Sequence, residues 1–192
     1  RLFFLPSFFR KIKGVNMKNI IVISSSLREG SNSEILAKAF VDGAKKNNEV
    51  KYISLKDIKL NFCKGCLACQ KINKCVIDDD VNSLLDIISN SDILVFATPV
   101  YYYGMAGQLK TFLDRLNALY SRKNKFKEVY LLATCADVDK NALDKTIVSL
   151  SGWIECFEGV ELKKSYLATS TDAPRSVSKE NINEVYKLGE NI

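Results

Sequence analysis

Apolar positions along the chain alternate between two rhythms. Ile20–Ser24, Ile93–Ala97 and Val129–Ala133 are short, nearly unbroken apolar runs, the pattern of strands covered on both faces. Val50–Leu55 and residues 161–168 complete a set of five strands. The stretches between them carry helical spacing. Ser31 opens a capping box with Glu34, and Ile35, Leu36, Ala39 and Phe40 follow on one face. Asp78–Asp80 are placed to cap a helix bearing Val81, Leu84, Leu85 and Ile88. Leu109, Phe112, Leu113, Leu116 and Leu119 define a helix over Gln108–Tyr120, Leu143, Ile147, Leu150 and Ile154 one over 141–157, and the last helix spans 179–190. Pro99 is expected to end the third strand. Five β–α units without an internal repeat predict an α/β fold, a doubly wound five-stranded parallel sheet with helices on both faces. Ligands of such sheets bind beyond the carboxyl ends of the strands, where strand order reverses. That directs attention to the loops after strands one, three and four.

The first of these loops, Ser24 to Ser33, matches neither the dinucleotide glycine fingerprint nor a P-loop. It is rich in hydroxyls, carries Arg28 and runs into a helix N-terminus, where free N–H groups and the helix dipole favour an anion. A polar turn with a helix cap would read the same way; its place in the architecture favours a phosphate site. The second loop contains Tyr101, Tyr102 and Tyr103, followed by Gly104. Three adjacent tyrosines cannot all point inward, so an aromatic face is expected to be open to a flat ligand or to a subunit contact. Lys110 and Asp114 form an i,i+4 pair on the next helix.

The segments SSSLREGSNSEILA, FCKGCLACQKINKCVIDDD and ATPVYYYGMAGQLKTFLDRL together resemble the NADPH-dependent FMN reductase family, and within it the iron–sulfur flavoprotein branch. The resemblance covers residues 17–192. It implies a flavodoxin-like sheet of order 2-1-3-4-5 and a non-covalent FMN with NAD(P)H as co-substrate. Carried over position by position, Ser26, Arg28, Ser31, Asn32 and Ser33 would hold the phosphate. Pro99, Val100, Tyr101, Tyr102, Tyr103, Gly104 and Met105 would lie along the isoalloxazine ring, with Thr134 and Cys135 on its other side. The family's usual Gly-Ser-Pro-Arg is replaced by Ser25-Ser26-Leu27-Arg28, which keeps the arginine.

Between the second strand and the second helix lie Cys63, Cys66, Cys69 and Cys75, four cysteines within 13 residues. Thiolates so spaced suit an iron–sulfur cluster or zinc. Bacterial ferredoxins share the first two gaps but have a three-residue third gap followed by proline. The resemblance implies one [4Fe-4S] cluster on this tetrad. Tetrahedral zinc and a metal-free cysteine loop over the flavin are the competing readings, and disulfides fit poorly with a chain showing no secretory signal. Cys135 and Cys156 stand outside the tetrad. Trp153 and Cys156 read as core or subunit contact.

Composition narrows the function classes further. The 192 residues contain no histidine, which excludes Ser-His-Asp and Cys-His catalytic pairs and any His-ligated metal. The net charge is +6, of which Arg1, Arg10, Lys11 and Lys13 supply +4, so the pI is not a nucleic-acid footprint. Residues 1–16, RLFFLPSFFRKIKGVN, precede a Met17 that runs straight into a strand; they read as an upstream extension outside the fold. A short membrane-surface anchor through Phe3, Phe4, Phe8 and Phe9 is the alternative reading of the same segment. No stretch approaches the roughly 20 apolar residues of a membrane span.

These features together predict a cytoplasmic, FMN-dependent oxidoreductase. Electrons would pass from a nicotinamide or ferredoxin to a small-molecule or protein acceptor. Neither nucleic acid nor membrane is an expected partner. The resemblance implies a homo-oligomer, dimer or tetramer. A flavodoxin-like electron carrier without nicotinamide oxidation and a four-cysteine zinc module are the alternatives.

Overall fold

The structure, a computed structural model, describes residues 17–192. The expectation for residues 1–16 lies outside the described residues. Five parallel strands form the sheet: β1 (Asn19–Ser24), β2 (Glu49–Ser54), β3 (Ile93–Tyr101), β5 (Glu128–Thr134) and β6 (Glu161–Ala168). Their spatial order is β2-β1-β3-β5-β6, which is 2-1-3-4-5 when the long strands are counted alone. The sixth strand, β4 (Gly104–Met105), is two residues long and pairs antiparallel with the end of β3.

Alternation along the central strands divides the core in two. Ile20, Val22, Ile93, Val95 and Ala97 face α1 (Asn32–Ala44) and α6 (Lys179–Glu190). Ile21, Ile23, Leu94 and Phe96 face the other layer, which includes α3 (Val81–Ser89), α4 (Gly107–Arg115) and α5 (Asp144–Ile154). On that side Trp153, half-buried, packs against the core, meeting Phe96 edge-on at 5.8 Å and lying 4.7 Å from Phe157. On the first side α1 and α6 touch backbone to backbone. A Cβ at Gly43 would lie 2.0 Å from the Tyr186 carbonyl, and one at Gly189 would lie 2.3 Å from the Phe40 carbonyl. Two glycines therefore set the approach of the helix whose N-terminus opens the first loop.

Several expectations are corrected. Pro99 does not end β3: it pairs with Thr134, and β3 continues to Tyr101. β1 stops opposite Ala97, so beyond that point β3 has an open edge where a missing N–H breaks no ladder bond. The second strand is Glu49–Ser54 rather than Val50–Leu55. The helix expected over Gln108–Tyr120 is α4, tightening to a 3-10 turn at Leu116–Leu119. That expected over 141–157 is a 3-10 turn at Lys140–Leu143 followed by α5. Of the Asp78–Asp80 run expected to cap α3, Asp79 accepts from the Val81 amide at 3.3 Å, whereas the Asp80 side chain makes no cap bond and accepts from the Lys59 amide at 2.6 Å.

Candidate functional site

Strand ends β1, β3, β5 and β6 deliver four loops to one cleft of about 170 Å³. It is lined by Ser26, Arg28, Ser31, Asn32 and Ser33 from the first loop, Pro99, Val100 and Tyr101 from the second, and Thr134 and Cys135 from the third. The cleft thus gathers ten of the fourteen residues that sequence reasoning assigned to a flavin, drawn from segments more than 100 positions apart.

The first loop is arranged around the start of α1. Ser31 is the N-cap, its Oγ accepting from the Glu34 amide at 3.2 Å. Glu34 reaches back one residue further than in the usual capping box and accepts from the Gly30 amide at 2.9 Å. Burial would raise the Glu34 carboxyl, but the bond and charge of Lys38 together with the Gly30 amide outweigh this and hold it below the ordinary value. The Ser26 hydroxyl accepts from the Arg28 amide at 3.2 Å, leaving its own proton free to donate. No protein acceptor meets the N–H groups of Asn32 and Ser33 among the described residues, as expected for the first turn of a helix. Gly30 takes φ +62° and comes close to the Arg175 side chain: a Cβ there would sit 2.9 Å from Nε.

The Asn32 side chain ties the first loop to the last. Its side-chain amide donates to the carbonyls of Thr171 (3.0 Å) and Ala173 (2.7 Å), and its oxygen accepts from the Val177 amide at 3.0 Å. The side chain is therefore engaged with the loop after β6, and only its backbone faces an incoming anion. The same bonds bring Thr171 and Asp172 to the cleft wall together with Ala136, none of which the sequence motifs singled out.

The tyrosine loop is a hairpin. Tyr102 (φ 50°) and Tyr103 (φ 63°) occupy the two turn positions, both left-handed, with Tyr101 opposite Gly104 and Val100 opposite Met105. Two-residue hairpins need this geometry, but asparagine and glycine usually provide it. A left-handed bulky residue costs of order 1–3 kcal/mol and is held by its surroundings. Here Tyr103 Oη donates to Asp137 at 3.0 Å, its carbonyl accepts from Thr146 Oγ1 at 3.5 Å, and Lys145 Nζ stands 5.3 Å over its ring. The bond to Asp137 pushes the Tyr103 hydroxyl above its ordinary value. Tyr102, Tyr103, Gly104 and Met105 do not line the cleft: Tyr102 is fully exposed, and Met105 packs against the core beneath α4 and α5. Thr134 and Cys135 are buried at the cleft wall; burial, reinforced by Asp137, pushes the Cys135 thiol up.

The cysteine loop is pinned beneath α4 by a pair the sequence did not reveal. Arg115, fully buried, makes a two-pronged ion pair with Asp79, with 2.8 Å between Nη2 and Oδ1, and donates to the Asn61 carbonyl at 2.8 Å. Burial would raise Asp79, but Arg115 and the Asn61 amide outweigh it and bring the carboxyl to about 2. Of the four cysteines, Cys63 and Cys66 are exposed, whereas Cys69 and Cys75 are buried. Two of the sulfurs meet nitrogen donors: Asn117 Nδ2 donates to Cys69 Sγ at 3.2 Å, and the Gly65 amide donates to Cys63 Sγ at 3.4 Å. The buried Arg115 Nε has no partner and Cys75 stands beside the same guanidinium. No three histidine, cysteine or acidic side chains are gathered as ligands of one metal ion among the described residues, a finding that bears on zinc and on a cluster alike.

Comparison with known proteins gives a consistent picture. The family described as NADPH-dependent FMN reductase matches residues 18–173. An iron–sulfur flavoprotein of Archaeoglobus fulgidus is 33% identical over 100 residues, covering 52% of this chain and 46% of that one. An iron–sulfur flavoprotein of Methanosarcina thermophila is 33% identical over 135 residues, covering 69% of this chain and 70% of that one. The aligned stretch spans about half the length of the first of these relatives. Among solved structures, an NAD(P)H:quinone oxidoreductase from Methanothermobacter marburgensis superimposes with TM-score 0.71 at 14% identity, covering 91% of this chain and 96% of that one, which shows a shared fold.

Proposed function

Because the chain belongs to the NADPH-dependent FMN reductase family, we propose that it is an FMN-dependent NAD(P)H oxidoreductase whose flavin sits in the cleft at the carboxyl ends of β1, β3 and β5. The observation that carries this reading is the hydroxyl-rich start of α1. Free amides of Asn32 and Ser33, the hydroxyls of Ser26, Ser31 and Ser33, and Arg28 converge on the same wall, as a doubly charged phosphate requires. FMN, when bound, supplies hydride acceptance from the nicotinamide and electron release singly or in pairs.

The chain's own residues bind and orient. Pro99, Val100 and Tyr101 offer one wall to a flat ring, and Thr134 with Cys135 the opposite one. The Tyr102–Tyr103 turn is locked by Asp137 and Thr146, so the Pro99–Tyr101 segment that leads into it is fixed in advance. Thr98 Oγ1 accepts from the Ala106 amide at 3.0 Å and keeps the hairpin seated on the start of α4. With no histidine in the chain, protons would be exchanged with water or with the Tyr101 hydroxyl at the mouth.

The tetrad belongs to the same proposal as a second centre. Its donor chemistry fits a [4Fe-4S] cluster better than zinc: four thiols on one loop, N–H donors already aimed at sulfur, and an orphaned guanidinium nitrogen beside Cys75. Cys63, Cys66, Cys69 and Cys75 would hold it, and it would supply one-electron exchange. The acceptor is a small molecule or a protein, and a homo-oligomer would close the open side of the cleft.

Anaerobic mixing of FMN-loaded protein with NADH and with NADPH tests the reading. Bleaching of the flavin bands by at least one of them, faster than for free FMN, is expected. Flavin that neither nicotinamide reduces would leave an electron carrier instead.

A further inference from the structure

Two exposed thiols from distant parts of the chain share one groove. Cys63, in the cysteine loop, and Cys156, in the turn that follows α5, both line a groove of about 430 Å³ walled by Leu113, Trp153 and Phe157. It shares no lining residue with the flavin cleft. It continues into a second groove of about 520 Å³, the two having Tyr120, Cys156 and Phe157 in common. The second groove carries Arg122, Lys123 and Lys127 against one acid, Glu158. Arg122 is paired with Asp86, whereas Lys123 and Lys127 are exposed and form no ion pair among the described residues. Cys156 therefore stands where a basic groove meets an apolar one, and Cys63 lines the apolar part.

The two thiols are held differently. Cys156 sits on a packed floor. Its amide donates to the Trp153 carbonyl at 3.3 Å, Trp153 lies 4.7 Å from Phe157, and both rings meet Phe126. Cys63 sits on a yielding segment. Asn61 is tied to Arg115 and Asp79, and Cys69 to Asn117. Between these anchors, no hydrogen bond joins residues 62–66 to another element among the described residues. A Cβ at Gly65 would meet no atom within 4 Å, so the loop has open space around it. A disulfide needs Cα atoms within about 7 Å and converging Cβ vectors. A fixed thiol beside an open loop reaches that geometry through movement of the loop alone.

We propose that Cys156 and Cys63 form a dithiol site for an anionic low-molecular-weight disulfide. Lys123 and Lys127 draw its carboxylates into the basic groove. The Cys156 thiolate attacks one sulfur of the substrate, the substrate S–S bond breaks, and the first half leaves as a thiolate. The Cys63 thiolate then attacks Cys156 Sγ in the mixed disulfide, forming the Cys63–Cys156 bond and releasing the second half. The protein dithiol is oxidised by two electrons and the substrate disulfide is reduced by two. The two protein thiol protons end on the two released thiols. Cys63 is also a member of the tetrad, so this disulfide and a four-thiolate cluster exclude one another. The site rests on these two thiols and not on the flavin reading.

The test uses the full chain, freed of iron by chelation, treated anaerobically with oxidised glutathione, alkylated and digested with trypsin. Cleavage after Lys64 separates the first two tetrad cysteines, so residues 60–64 carry Cys63 alone and residues 146–163 carry Cys156 alone. The disulfide-linked pair of these two peptides is the expected main product, and Cys156→Ser is expected to abolish it. Changing Lys123 and Lys127 together to Gln should slow its formation about five- to tenfold with oxidised glutathione. The same variant should react at the wild-type rate with hydroxyethyl disulfide, which is uncharged. A Cys63–Cys66 product, a mixed disulfide that persists on Cys156, or no reaction of either thiol overturns the proposal. Equal rates for wild type and the Gln variant with oxidised glutathione overturn the anionic class of substrate. Iron and flavin, quantified before chelation, report the cluster and oxidoreductase readings independently of these outcomes.

Discussion

Asp79→Ala is expected to lower folding stability by about 3–5 kcal/mol, because it leaves the Arg115 guanidinium charged and buried without its partner. For a chain of this size that lowers the melting temperature by roughly 6–20 °C. The loss should be larger than for any exposed ion pair here, such as Lys110–Asp114, which contributes under about 1 kcal/mol. The consequence is local as well as global. Asp79 also accepts from the Asn61 amide at 2.9 Å, so the variant frees the start of the cysteine loop as well as its end. Acid provides an independent check. The Asp79 carboxyl sits near 2 in the folded chain against an ordinary 3.8, so its contribution is complete above about pH 4 and is lost as pH falls towards 2. Urea midpoints measured across that window should converge between wild type and variant. A loss below about 1 kcal/mol at pH 7, or curves that stay parallel down to pH 2, would contradict the role given to this pair.

Arg28→Ala should cost FMN affinity and leave the fold intact. Arg28 is exposed at the cleft and makes no ion pair among the described residues, so its removal disturbs little of the protein itself. A hydrogen bond to a charged group contributes about 1.5–3 kcal/mol. That corresponds to roughly 10- to 150-fold weaker binding. Fluorescence titration of the flavin-free protein measures it directly. Removing the Ser33 hydroxyl as well should weaken binding further, because both groups address the same phosphate. Riboflavin, which lacks the phosphate, should bind wild type and variant alike; a variant that loses riboflavin and FMN equally would place Arg28 elsewhere.

The architecture could be read because its signals are local. Ile20 to Ile23 and Ile93 to Ala97 alternate between the two cores, and Ser31 with Glu34 marks the start of α1. The site could be read in outline because the fold places successive strand ends together. What escaped the sequence depends on partners far along the chain. Asn32 engages residues 139 and 141 positions away, and Arg115 finds Asp79 across 36. No periodicity reports either pairing. The hairpin at Tyr102 and Tyr103 escaped for a different reason: turn chemistry expects asparagine or glycine there, and two left-handed tyrosines form only because Asp137, Thr146 and Lys145 hold them. Pro99 misled because an open strand edge tolerates proline, and openness is a property of the sheet.

The central claim is that the cleft beneath Ser26, Tyr101 and Thr134 holds FMN. It is tested most directly by the visible spectrum of anaerobically purified protein, with flavin, iron and zinc quantified on the same sample. Two resolved flavin bands and FMN approaching one per chain are the predicted result, with iron near four per chain if the tetrad is loaded. Protein that carries no flavin and takes up none when FMN is added in excess would contradict it.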